Sequence, residues 1–138
     1  MGADRSTKAA LRKAALDAMQ RAYAPYSNFR VGAALRTSDG TLVTGCNIEN
    51  SVFGLAICAE TLAVASAVSQ GLTRFDEIAI ATEDSEPTPP CGTCRQVLSE
   101  FAPNITVSSY TRDGKEATWP LGELLPNAFV LKPSRGRV

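Results

Sequence analysis

Apolar residues recur three and four apart along the first stretch of the chain. Leu11, Ala15, Met19 and Ala22 share one helical face, with Arg12, Lys13, Asp17 and Arg21 largely elsewhere. This spacing predicts an amphipathic helix, capped by Ser6 or Thr7 and running to about Tyr23. Ala-Pro-Tyr-Ser-Asn at 24–28 breaks it. Residues 31–37 and 41–47 then read as two strands, joined through Ser38-Asp39-Gly40 into an antiparallel hairpin. After a loop over 48–55, the stretch 58–70 is apolar on most sides. That predicts a helix in the middle of the protein, with Gly71 as its C-terminal cap. A strand is expected over 77–82, followed by a proline- and acid-rich loop over 83–90. A helix over 92–101 places Cys94, Val97, Leu98 and Phe101 along one stripe. Residues 105–110 and 116–119 form a second hairpin around Asp113-Gly114, and a helical turn at 121–125 precedes a tail carrying Phe129. Five strands alternating with three helices predict an α/β layered domain around one mixed sheet. With no repeat and no linker, residues 1–138 read as a single domain.

Composition narrows the function classes. The chain has 138 residues, 44% of them hydrophobic and 20% charged, as in ordinary globular proteins. Fourteen basic residues balance fourteen acidic ones, so no net field draws nucleic acid or anionic lipid. The opening residues are polar and lack the apolar core of an export signal, and no apolar run is long enough for a membrane span. A cytoplasmic location is expected, where thiols stay reduced and clustered cysteines more often bind metal than pair. Most informative is the absence of histidine. It excludes Ser-His-Asp and Cys-His nucleophiles, histidine bases and histidine-ligated metals. Chemistry near neutral pH is left to carboxylates, thiolates, lysines or a metal.

Two segments carry candidate chemistry: Cys58-Ala59-Glu60 and Pro90-Cys91-Gly92-Thr93-Cys94-Arg95, each at a predicted helix start. The Cys91/Cys94 pair has a chelating bite, and Cys58 can add a third thiolate. Three protein ligands leave tetrahedral zinc one open position, where bound water has its pKa lowered to ~7. Glu60 lies two residues beyond a ligand, near enough to shuttle protons on that water. Both helix N-termini favour charged sulfur. A lone C-x-x-C serves equally as a redox pair, half a zinc ribbon or two buried thiols, and a lone Glu60 as a first-turn carboxylate. Joined as C-x-E and P-C-x-x-C, they match the zinc-deaminase signature. A structural zinc would need a fourth ligand, and only Cys46, read as a buried strand residue, is left to supply it. Asn47 and Glu49 lie two apart at a strand end, facing one side and suited to sugar hydroxyls, although an ordinary turn uses the same residues. Phe29 by itself reads as core.

Nearly the whole chain resembles the free-nucleoside cytidine deaminases. The resemblance rests on Tyr23-Ala24-Pro25-Tyr26-Ser27-Asn28-Phe29, Val31-Gly32-Ala33-Ala34-Leu35, Gly45-Cys46-Asn47-Ile48-Glu49-Asn50, the two cysteine motifs, and Glu123-Leu124-Leu125-Pro126 with Phe129. It implies a three-layer α/β/α fold with a five-stranded mixed sheet and one Zn2+ per subunit. It also implies hydrolysis of cytidine or deoxycytidine to the uridine product and ammonia, in pyrimidine salvage. Carried over residue by residue, Cys58, Cys91 and Cys94 hold zinc and Glu60 is the acid-base residue. Asn47 and Glu49 bind ribose, Phe29 packs on the pyrimidine, and the backbone around Ala59 reads the base edge. The family's small members are homotetramers in which the aromatic matching Phe129 enters a neighbour's site, and Phe53 stands where the family has a tyrosine. Thr61 departs from the pattern: many members have an arginine there, offsetting the thiolates. That load is expected to fall on Arg95 and the helix N-termini. The nearest rival is a deaminase of another small molecule such as blasticidin S. A nucleic-acid editor is disfavoured, because only about five residues join the last two strands, too few for a parallel crossover. A non-catalytic zinc module and a Cys91/Cys94 oxidoreductase are the readings from other classes.

Overall fold

Alternation along the strands decides which helix lies on which face of the sheet. The computed structural model describes residues 5–133. Its elements are α1 (Arg5–Met19), β1 (Val31–Thr37), β2 (Leu42–Cys46), α2 (Ala59–Ser69), β3 (Phe75–Thr82), α3 (Gly92–Phe101), β4 (Thr106–Tyr110), β5 (Glu116–Pro120) and the single turn α4 (Leu121–Leu124). The strands form one sheet in the order β2-β1-β3-β4-β5. Only the β3–β4 pair is parallel, with α3 in the crossover, so the sheet is mixed. The last two strands are antiparallel, as their short connection requires.

On one face Ala34, Ala79, Ala81 and Tyr110 pack against Leu11, Ala15 and Met19 of α1. On the other, Ala33, Leu35, Val43, Ile78, Ile80 and Val107 meet Ala59, Ala63, Val64 and Ala67 of α2 and Leu98 of α3. The result is the α/β fold with helices on both faces of the sheet. Two glycines bring the helices close. A Cβ on Gly32 would sit 2.1 Å from the carbonyl oxygen of Ala15, and one on Gly45 would sit 2.4 Å from that of Ala59. Gly45 thereby lets the N-terminus of α2 rest directly on β2.

Several boundaries differ from expectation. The helix α1 already includes Ser6 and Thr7, so neither residue caps it from outside. It ends at Met19, not Tyr23, because tertiary pairing claims the Tyr23 backbone: its N–H donates to Asn47 and its carbonyl accepts from Glu49. The strand β3 starts at Phe75, two residues early, where Phe75 tilts against Phe101 with ring centroids 5.8 Å apart. The helix α2 is not enclosed on all sides. Ala65 and Val68 are exposed along it, since the sheet covers only one of its faces in a single chain. It ends as predicted: Gly71 takes a φ of +83°, its N–H bonds Val68 and that of Leu72 bonds Ala67, which closes the last turn. Cys46 is half-buried instead of buried. It pairs with Gly32 and so lies on the α1 side of the sheet, away from the other three cysteines.

Candidate active site

The N-termini of α2 and α3 meet above the end of β3. Cys58 is the residue just before α2, Cys91 the residue just before α3, and Cys94 lies in the first turn of α3. Their sulfur atoms all lie within 4.8 Å of one another, with Cys58 and Cys91 at 3.9 Å. Zinc–sulfur bonds of ~2.3 Å place tetrahedral sulfurs about 3.8 Å apart, so this spacing fits the metal. Cys58 and Cys91 are open to solvent while Cys94 is buried. Hydrogen bonding from Cys94, aided by Cys91, pulls the Cys58 thiol down to about 6 against the opposing effect of burial. Cys94 is pushed far up by giving its proton to that bond, and also by burial and the Glu60 charge. One thiolate therefore forms readily, as a soft divalent cation needs.

Glu60, in the first turn of α2, is only 5% exposed. Burial raises its pKa above the ordinary carboxylate range and the neighbouring Cys58 charge adds to this, while its own backbone N–H works the other way. It faces a cavity of about 320 Å³ whose wall also includes Phe29, Val31, Asn47, Glu49, Cys58, Ala59, Ile80, Thr82, Thr88 and Cys91. Among the described residues, no lysine or arginine lines it. Phe29, the Asn47/Glu49 pair and the Ala59/Glu60 pair, from three separate stretches of the chain, thus converge on one space.

Asn47 and Glu49 also hold the scaffold. The Asn47 Oδ1 accepts from the Val31 N–H at 2.8 Å, and its Nδ2 donates to the Phe29 carbonyl at 2.9 Å. Glu49 accepts the backbone N–H groups of Tyr26 at 2.9 Å and Ser27 at 3.1 Å, together with the Ser27 hydroxyl. The Ser27 hydroxyl bond is the main reason the Glu49 carboxyl sits below its usual range. An amide with one N–H left and a carboxylate with about one acceptor position left remain available to a ligand.

Besides Cys94, three candidates lie off the cavity wall. Arg95 directs Nε to the Pro90 carbonyl at 2.8 Å and Nη1 to the Leu124 carbonyl at 2.7 Å, so its hydrogen bonds brace the turn before Cys91 and none goes to a sulfur. Thr61 places its Oγ1 3.4 Å from the Cys94 sulfur. Phe129 is 69% exposed on the tail, with its carbonyl held by Gln96 Nε2 at 3.1 Å, and does not reach this chain's own cavity. Phe53 is likewise exposed, in a short 3-10 turn.

In the sequence, residues 83–90 read simply as the connection to Cys91. The structure shows that Thr82, just before it, and Thr88, within it, line the cavity and share a hydrogen bond of 3.1 Å between their hydroxyls. Glu83 takes the side chain and backbone of Arg30, fifty-three residues away in sequence. No local pattern marks a partner at that separation.

Comparison with known proteins gives the same picture. Residues 5–109 match the family model for the cytidine and deoxycytidylate deaminase zinc-binding region. A cytidine deaminase of Halalkalibacterium halodurans is 43% identical over 121 residues, covering 86% of this chain and 90% of that one. The crystal structure of cytidine deaminase from Burkholderia pseudomallei superimposes with a TM-score of 0.85 at 46% identity, over 88% of this chain and 98% of that one. A more distant relative, the blasticidin-S deaminase of Bacillus cereus, is 36% identical over 108 residues, 72% of this chain and 76% of that one. Three converging thiols that fit zinc, a buried carboxyl beside them and these likenesses place the chain in the cytidine and deoxycytidylate deaminase family, as a zinc-binding hydrolytic deaminase.

Proposed function

We propose that this single domain deaminates the free nucleosides cytidine and deoxycytidine, giving the uridine product and ammonia, in cytoplasmic pyrimidine salvage. The observation that carries the reading is one cavity wall holding two of the three zinc-fitting sulfurs and the buried Glu60, facing Asn47, Glu49 and Phe29. Zinc held by Cys58, Cys91 and Cys94 supplies a water that ionises at ~7, and a cytoplasmic setting keeps these thiols reduced.

Glu60 takes a proton from the attacking water and passes it to the pyrimidine N3 as the water oxygen bonds C4, then moves the proton of the new C4 hydroxyl to the amine as the C4–N bond breaks and ammonia leaves. Burial raises its pKa above the ordinary carboxylate value, which helps it hold the proton between the two steps. The first N–H groups of α2, at Ala59 and Glu60, have no intrahelical acceptor, which leaves Ala59 a backbone donor for the base edge. The spare N–H of Asn47 and spare acceptor of Glu49 suit sugar hydroxyls, and Phe29 offers a ring face to the base. Among the described residues no cation lines the cavity, which favours a neutral nucleoside over a 5′-phosphorylated one.

The exposed Phe129, absent from its own cavity, supports a homotetramer with shared sites, in which the ring closes a neighbour's cavity. An ultraviolet assay tests the activity. Cytidine and deoxycytidine are expected to be consumed, and a zinc chelator to abolish the loss. Preference for blasticidin S, the substrate named by the Bacillus cereus relative, would overturn the nucleoside assignment.

A further inference from the structure

We infer that Glu83 is a positioning residue for this deaminase: its carboxylate ties the Phe29 wall of the cavity to the loop that delivers Cys91. The inference rests on the nucleoside reading above and concerns the width of the same cavity. Glu83 directly follows Thr82, the last residue of β3, and opens the loop that carries Thr88 and ends at Cys91. Arg30 stands between Phe29 and Val31, both of which also line the cavity.

The carboxylate gathers four donors. Its Oε1 accepts the backbone N–H of Arg30 at 3.0 Å, and its Oε2 accepts Arg30 Nε at 3.0 Å, Arg30 Nη2 at 2.7 Å and Arg112 Nη2 at 2.8 Å. Asn47 takes the groups on either side, the Phe29 carbonyl and the Val31 N–H. Three consecutive residues of the Phe29 wall are therefore held by two side chains, one on each neighbouring strand end. The segment needs this, because it leaves a turn in which Asn28 has a φ of +59° and only joins the sheet at Val31. Without Glu83, nothing shown in the structure orients the Arg30 amide.

The partners are partly open to water, with side-chain exposures of 33% for Arg30, 21% for Glu83 and 52% for Arg112. Ion pairs this exposed contribute little to global stability. Their consequence is local: they set where the Phe29 ring stands relative to Glu60 and the sulfurs. A lost tie widens the cavity and weakens substrate binding, and leaves the metal ligands and Glu60 in place. The expected signature is a rise in KM with kcat nearly unchanged.

Glu83→Gln is the test, with Glu86→Gln as the control, since Glu86 lies on the same loop and, among the described residues, pairs only with the exposed Lys115. Glu83→Gln is expected to raise KM for cytidine about tenfold with kcat within about threefold and a full zinc complement. The control should stay within about twofold of the parent on both constants. Hydrogen exchange at the Arg30 amide, read in the same proteins, should quicken in Glu83→Gln alone. An unchanged KM, or a fall in kcat and zinc content at constant KM, would overturn the inference, and so would unaltered exchange at Arg30. If the parent consumes no cytidine, the nucleoside reading fails and the exchange measurement still decides whether Glu83 holds this wall. Should Glu83→Gln not fold, Arg30→Gln keeps the backbone bond and is expected to raise KM about threefold; no rise would count against the proposal.

Discussion

Glu60 is a carboxyl at the start of a helix, where solvent usually keeps such a group ionised. Here it is buried beside three sulfurs, and burial lifts its pKa. The variant Glu60→Gln keeps size and hydrogen bonding and removes the titrating group. It should retain zinc, measured by metal analysis, and lose about 10²–10⁴ in kcat, the usual reach of general acid-base action. Thr61 is the second informative residue. The family position that many members fill with a charged arginine holds a hydroxyl here, and that hydroxyl approaches the Cys94 sulfur at 3.4 Å. Arg95 bonds carbonyls, so the hydroxyl and the helix N-termini are what this structure offers the thiolates. Thr61→Val should lower zinc affinity about tenfold in a chelator competition while Thr61→Ser stays near the parent.

At the scale of elements, the site depends on how closely α2 approaches β2. Gly45 makes the approach possible, because a Cβ there would lie 2.4 Å from the Ala59 carbonyl and 2.6 Å from the Ala63 amide nitrogen. Both are backbone atoms, so the helix itself would have to move. Gly45→Ala is expected to cost about 1–3 kcal/mol in a urea titration, the range for overpacking. It should also weaken zinc retention, because Cys58 and Glu60 ride on the displaced end. A substitution at Gly54, where a Cβ meets nothing within 4 Å, should leave stability unchanged.

For the whole molecule, two properties follow from how the pieces are joined. Hydrogen bonds from the Arg30 side chain, then its backbone N–H, and the charges of Arg30 and Arg112 hold the Glu83 carboxyl below its ordinary 4.5. A depressed acid stabilises the fold above its unfolded pKa and loses that contribution as pH falls through the folded value. The Tm difference between the parent and Glu83→Gln is expected to be small for pairs this exposed, largest at neutral pH, and to shrink progressively below about 4.5. The second is the proposed assembly. Sedimentation equilibrium is expected to give four times the 14.6 kDa chain mass. Phe129→Ala should cut activity without lowering the Tm of the isolated fold, since the ring is exposed on its own chain. A fully active monomer would remove the shared-site proposal.

Local physics already determined much of this protein. Period-two and helical spacings, with Gly71 and the tight Asp113-Gly114 turn, were enough for five strands, the main helices and the antiparallel last hairpin. The zinc-fitting trio and Glu60 were legible because each motif is compact and sits at a helix start, and because a chain without histidine has few other ways to build such a site. What depended on distant partners was not legible. The end of α1 was decided by Tyr23 pairing with Asn47 and Glu49, and the open side of α2 by the sheet covering a single face. Only the fold separated Cys46 from the other cysteines, turned Arg95 toward carbonyls and brought Thr61 to Cys94 and Glu83 to Arg30. The physical reason is range. Propensity and periodicity act over one or two turns of chain, whereas each of these contacts is made by residues that only the sheet order brings together.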